Sequence, residues 1–75
     1  MASDVRMQME AQFFVARDEY LGAIKAHSDA LAAGLKSESS EVDAEYDRAY
    51  AELQRRQDAY RRATENLRAV TRRLA

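Results

Sequence analysis

The sequence predicts an all-α fold, a long antiparallel αα-hairpin with coiled-coil-like packing. The 75 residues include no Pro and two Gly, and Ala, Glu, Arg and Leu are abundant, which is typical of helices. A row of apolar positions follows a 3.5-residue repeat through the second half of the chain, and one segment with Gly and Ser interrupts the middle. Residues 1–75 are therefore interpreted as a single helical-hairpin domain.

The first helix is predicted over about residues 4–33, and it carries two apolar rows. The main row, which we expect to face the second helix, consists of Met9, Phe13, Ala16, Tyr20, Ile24, His27 and Leu31. The second row, displaced by roughly 100° around the helix axis, consists of Met7, Phe14, Leu21 and Leu35. One partner helix cannot cover both rows, so the second row is the predicted partner interface. The alternative is that its members are scattered surface hydrophobes on a monomer.

The connection is predicted over about residues 34–39 and the second helix over about 40–74. Gly34 is expected to end the first helix in the left-handed conformation, and Ser40, followed by Asp43, is expected to cap the second helix. The apolar row of the second helix is Val42, Tyr46, Ala49, Leu53, Arg56, Tyr60, Ala63, Leu67, Val70 and Leu74. Side chains at this spacing form knobs-into-holes contacts with another helix.

Arg56 is the one charged member of that row. Burying a guanidinium without a partner is costly, so we expect its head to reach water or to meet an acidic group from the first helix or a second chain. A polar residue in such a row often determines register or oligomeric state. Arg56 is therefore predicted to control register or specificity.

Nothing in the sequence indicates an enzyme. The chain has no Cys and one His, His27, which is interpreted as packed in the apolar row because no orienting acid or further metal ligand shares its face. We predict no catalytic residue, no metal ligand and no cofactor. No run of apolar residues is long enough to cross a membrane, and the start of the sequence lacks the pattern of a signal peptide.

Charge is uneven along the chain although the formal net charge is −1. Acidic residues dominate the first half, and Arg dominates the last third. We expect Asp4, Glu10, Asp18 and Glu19 to pair with the Arg groups across the hairpin. The alternative is a nucleic-acid surface formed by Arg48, Arg55, Arg61, Arg62 and Arg68. The acidic balance and a sequence pI near 5.8 argue against nucleic acid as a partner.

The function predicted from these features is protein–protein interaction. The chain is interpreted as a homodimer that forms a four-helix bundle, or as a small subunit or adaptor docked on a larger helical partner. We expect it to be cytoplasmic, with signal-independent export left open. The alternatives are a secretion-system hairpin and an Arg-mediated nucleic-acid binder.

The secretion-system alternative comes from a resemblance of shape. A helical hairpin of this size is similar to the Trp-x-Gly family of type VII secretion substrates and to the small helical co-chaperones of type III secretion needles. The chain departs from the first family in two places, because the turn reads Gly34-Leu35-Lys36 without Trp, and Tyr46, Tyr50 and Tyr60 are not followed four residues later by Asp or Glu. The resemblance implies an exported hairpin or a chaperone and assigns no site residue.

Overall fold

Two long helices pack against each other in the computed structural model, which describes residues 2–37 and 39–74. Helix α1 runs from Ala2–Lys36 and helix α2 from Ser40–Leu74. Contacts between them join early residues of α1 to late residues of α2, such as Phe13 to Tyr60, and late residues of α1 to early residues of α2, such as His27 to Tyr46. The helices are therefore antiparallel, and the predicted all-α hairpin is confirmed.

The turn between the helices is shorter than the sequence suggested. Helix α1 continues through Gly34, which does not adopt a positive φ, and ends at Lys36. The cap of α2 is Ser39: its Oγ accepts a hydrogen bond from the backbone N–H of Val42 at 3.2 Å, and its carbonyl accepts one from Asp43 at 3.1 Å. The expected left-handed end at Gly34 and the expected cap at Ser40 are both wrong, because the helices extend to the point where Ser39 satisfies the first free N–H groups of α2.

The packed row of α1 differs from the predicted one in its second half. Its members are Met9, Phe13, Ala16, Tyr20, Ala23, His27, Ala30 and Gly34, all buried or half-buried. Ala23 is the most buried, at 6% exposure, whereas Ile24 and Leu31, which were expected here, are 40% and 46% exposed. The row keeps a strict alternation of four and three residues, so small residues face α2 where the two helices come close.

The packed row of α2 is the predicted one. Its described side chains from Val42 to Val70 are buried or half-buried, with Ala63 lowest at 8% exposure. Leu74, the last predicted member, has a side chain that lies outside the described residues. Aromatic rings fill the space between the helices. Tyr20 stacks on Tyr60 with the ring centroids 5.4 Å apart, and the ring centroids of Tyr46 and His27 are 5.1 Å apart. The two rows therefore account for the hairpin.

The hairpin is a rod with little interior. Its Cα atoms extend 54 × 14 × 13 Å, with a radius of gyration of 16.7 Å, against about 11 Å for a compact domain of this length. Among the side chains that the structure describes, no large one is fully buried. Much apolar surface therefore remains in contact with water, and its distribution decides where a candidate site lies.

Candidate assembly surface

A second row of apolar side chains, interrupted by polar residues, is exposed along α1 beside the row that packs on α2. We call it the apolar flank, and its members are Met7, Phe14, Leu21, Ile24, Leu31 and Leu35. Their exposure ranges from 40% to 83%. The four residues predicted as a partner interface all belong to it, and the structure adds Ile24 and Leu31, which the sequence analysis had assigned to the hairpin interior.

The apolar flank follows a heptad pattern of its own. With Glu10, Arg17 and Ser28 at the intervening positions, it steps by three and four residues from position 7 to position 35. It lies about 100° around α1 from the packed row, since each residue advances the helix by about 100°. Helix α1 thus carries two adjacent rows for helix packing, and α2 occupies one of them. In the sequence, a strict alternation of four- and three-residue steps through Ala23 and Ala30 would have identified both rows.

The middle of the flank is held in place by its neighbours. The ring of Phe14 meets the ring of Phe13 edge to face at 5.4 Å, and Phe13 in turn contacts Tyr60 of α2. The guanidinium of Arg17 lies 5.0 Å from the centre of the Phe14 ring, within the range of a cation–π contact. Phe14 is therefore oriented before any partner arrives.

The apolar flank lines one of the open grooves between the two helices. One groove is lined by Leu31, Gly34, Leu35, Val42, Asp43 and Tyr46. A second groove, of about 500 Å³, lies further along the hairpin and includes Tyr20, Gln57, Tyr60, Arg61, Thr64 and Arg68 in its lining. The residues of α2 on this side form a polar row, the α2 flank, which consists of Asp43, Asp47, Tyr50, Gln54, Gln57, Arg61, Thr64 and Arg68. One side of the hairpin therefore presents an apolar helix next to a polar one.

Arg56 meets an acidic group from α1, which is one of the outcomes that the sequence predicted. Its Nη1 lies 2.5 Å from Oε2 of Glu19, and its Nε donates to Oε1 of Glu52 at 2.6 Å. The hydrogen bond from Arg56 is the largest cause that lowers the pKa of Glu52 below its ordinary value of 4.5, and the charges of Arg55 and Arg56 act in the same direction. Desolvation of Glu52 opposes them. Arg56 is half-exposed in this arrangement, so its head leaves the packed row for the rim.

The other ion pairs of the described residues stay within one helix. Glu10 pairs with Arg6, and Asp18 lies 3.4 Å from Arg17. On α2, Arg61 pairs with Asp58 at 2.5 Å and Arg55 pairs with Glu52. The expected charge pairing across the hairpin is therefore limited to Glu19 in the part of the chain that the structure describes. Among the described side chains, the acidic start and the basic end of α2 make no ion pair with α1.

His27 packs against the rings of Tyr46 and Tyr50. The centroid of its ring lies 5.1 Å from that of Tyr46 and 5.9 Å from that of Tyr50, and its buried Nε2 has no hydrogen-bond partner among the described residues. Across residues 2–37 and 39–74 there is no group of three His, Cys, Asp or Glu side chains placed to hold a metal ion. No helix in the same ranges is long and apolar enough to cross a membrane.

Comparison with protein-family models, with curated proteins and with solved structures finds no significant match. The function of the chain therefore has to be argued from its own surfaces.

Proposed function

We propose that the protein is a non-enzymatic assembly module that acts through the apolar flank of α1. The observation that carries this proposal is the second heptad row on α1, whose six apolar side chains are exposed while the first row packs on α2. A row of this length and spacing is the surface that a further helix covers. The thin interior of the hairpin adds support, because small chains without disulfides commonly obtain stability by oligomerisation.

The form of assembly that we propose is a homodimer arranged as a four-helix bundle. The two rows of α1 are separated by about 100°, which is close to the angle at one corner of a square bundle of four helices. A larger protein with an exposed helix is the other partner that fits the same face. In both forms the contact residues are those of the apolar flank, and Arg56 helps to determine the register of the hairpin.

The test is a pair of charge substitutions on the flank, Phe14→Asp together with Leu21→Asp. Both side chains are about half-exposed, so the hairpin itself should keep its helicity, as circular dichroism would show. The assembled species should be lost in sedimentation or light scattering, because burying two carboxylates in an apolar contact is strongly unfavourable.

Val15→Asp is the matched control. Val15 is 58% exposed on α1 but lies outside the apolar flank, so this variant should assemble as the original chain does. The homodimeric form of the proposal is contradicted if the original chain is a stable monomer and the double variant behaves identically. It is also contradicted if the double variant still forms the same oligomer.

A further inference from the structure

We infer that the apolar flank takes a second copy of this chain, packed antiparallel across a two-fold axis that crosses α1 between Leu21 and Ile24. This inference rests on the proposed function and specifies its partner and geometry. Three features carry it: the order of apolar and polar positions along α1, the charges at the edge of the apolar flank, and the charges of α2.

The middle of the row, from position 14 to position 31, is self-complementary about this axis, whereas Glu10 lies against Leu35 further out. Leu21 of one chain lies against Ile24 of the other, and Phe14 lies against Leu31. The layer between these two contacts is polar on both sides, because Arg17 meets Ser28. Apolar side chains thus meet apolar ones at the centre of the contact, as a stable helix interface requires.

Charges at the outer edge of the flank select the same register. Asp18 follows Arg17, an intervening position of the row, and Lys25 follows Ile24. The side chains of Asp18 and Lys25 are 68% and 81% exposed. Within the chain, their ion pairs are local contacts with Arg17 and Asp29. Across the proposed axis, Asp18 of each chain faces Lys25 of the other, which makes two complementary pairs in each dimer.

Other pairings of the same row bring like charges together. A shift of one heptad in one direction sets Asp18 against Asp18 of the second copy, and a shift in the other direction sets Lys25 against Lys25. A parallel pairing stacks Arg17 on Arg17 and Glu10 on Glu10 within the row. Like charges in such positions are destabilising, so the antiparallel register centred between Leu21 and Ile24 is favoured.

The charges of α2 lead independently to the same axis. Asp47 and Arg61 lie on the α2 flank at equal distances from Gln54, so a two-fold axis at Gln54 sets Asp47 of each chain against Arg61 of the other. The contacts of Arg56 with Glu19 and of Tyr50 with His27 show that Gln54 is level with α1 between Leu21 and Ile24. In a square bundle the two α2 helices are neighbours. Their unbalanced charges then compensate each other across the dimer.

The first experiment reverses the charges at the edge of the flank and measures the dimer dissociation constant by sedimentation. K25D places a carboxylate opposite Asp18 of the second copy, and D18K places an ammonium opposite Lys25. With two altered pairs in each dimer, each at the upper end of surface ion-pair strengths, either change should weaken the dimer by about thirtyfold. The double variant D18K/K25D exchanges the two charges and should restore the original affinity.

A matched control separates this effect from the loss of pairs inside the helix. D29K breaks the same Lys25–Asp29 pair as K25D, and position 29 lies about 40° further around α1 from the apolar flank than position 25 does. Its dissociation constant should stay within about twofold of the original, because substitutions outside a contact have small effects.

The second experiment reads the register directly by disulfide formation, since the chain contains no Cys of its own. A mixture of F14C and L31C chains should oxidise to a mixed covalent dimer, because these positions face each other. F14C alone should remain uncrosslinked, since its two copies would be about 25 Å apart along the helix at ~1.5 Å per residue.

The inference is overturned if the original chain is monomeric, if the double charge exchange fails to restore affinity, or if F14C crosslinks to itself. Its failure differs from failure of the proposed function. An oligomer that Phe14→Asp with Leu21→Asp dissolves, but that ignores the charge exchange and the cysteine pair, would keep the assembly surface and reject this geometry.

Discussion

Arg56 shows how one residue connects the packing of the hairpin to its charge. Its stem lies in the packed row of α2, and its guanidinium joins Glu19 of α1 to Glu52 of α2 at the rim. In the described part of the chain, the Arg56–Glu19 pair is the only ion pair that joins the two helices. It therefore favours one relative position of α1 and α2. Pairs with this much exposure add little stability in water. Such pairs contribute instead to specificity, because they disfavour other registers of the two helices.

Arg56→Leu should make the hairpin more stable and less specific. An apolar side chain in the packed row gains burial, which we expect to exceed the lost pair by about 1 kcal/mol and to raise Tm by roughly 4–8 °C. Thermal unfolding measures the first effect. Sedimentation should show more than one assembled species, because the polar constraint on register is gone.

The same variant should change the response to acid. In the original chain the pKa of Glu52 is lower in the folded state, so its contribution to stability is present above the unfolded pKa and is lost as pH falls through the folded value. Arg56→Leu removes the largest cause of this shift and should reduce the loss of stability in acid.

Arg55→Leu is the control for the predicted gain in Tm. Arg55 is exposed outside the packed row, so no gain in Tm is expected from this variant. A lower Tm for Arg56→Leu, with a single assembled species, would contradict the prediction.

At the scale of the element, the two helices differ in the number of apolar rows that they carry. Helix α2 has one apolar row and a polar remainder, which suits a helix with one apolar neighbour. Helix α1 has two rows, and alanines occupy the packed one where the larger Ile24 and Leu31 turn outward. Small residues let the helices approach, and the large residues enlarge the exposed flank. The exposed row on α1 is therefore a feature of the whole helix.

The two glycines of α1 provide a test of its length. Gly22 and Gly34 are both helical, a Cβ at Gly22 would meet nothing within 4 Å, and one at Gly34 would lie 3.7 Å from Val42, an ordinary contact. Gly22→Ala and Gly34→Ala should each stabilise the fold by about 0.5–1 kcal/mol, because Ala loses less backbone entropy in a helix.

Chemical denaturation of both variants measures this gain. Gly22, in the middle of α1, serves as the reference for Gly34 near its end. A loss of stability in Gly34→Ala alone would mean that Gly34 adopts the left-handed conformation of a helix end, as the sequence first suggested.

At the scale of the whole molecule, the proposed assembly should add to the stability of a thin rod. The hairpin buries few side chains deeply in its described part, and its apolar flank remains open. A partner that binds only the folded chain adds to its stability by mass action. Folding and association should therefore be coupled in this protein.

The coupling predicts that Tm rises with protein concentration. Unfolding of a dimer releases two chains, so dilution favours the unfolded state. Calorimetry or circular dichroism over two orders of magnitude in concentration would measure the trend. The variant with Phe14→Asp and Leu21→Asp should melt lower and at one temperature throughout. A constant Tm for the original chain would rule out coupled dimerisation.

The sequence by itself determined that the chain is all-α, that it folds as a hairpin, and where α2 lies. These properties depend on local propensity and on a regular 3.5-residue repeat, both of which can be read along one helix. The exposed members Met7, Phe14, Leu21 and Leu35 were also identifiable, because they are spaced too far around α1 to share one neighbour with the packed row.

Only the tertiary structure decided which side chains of α1 face α2 beyond Tyr20. A step of three residues leads to Ala23 and a step of four leads to Ile24, and hydrophobicity alone favours Ile24. The close approach of the two helices favours Ala23, since a larger side chain there would hold them apart. The helix ends, the cap at Ser39 and the partner of Arg56 likewise depend on which groups the antiparallel packing brings together in space.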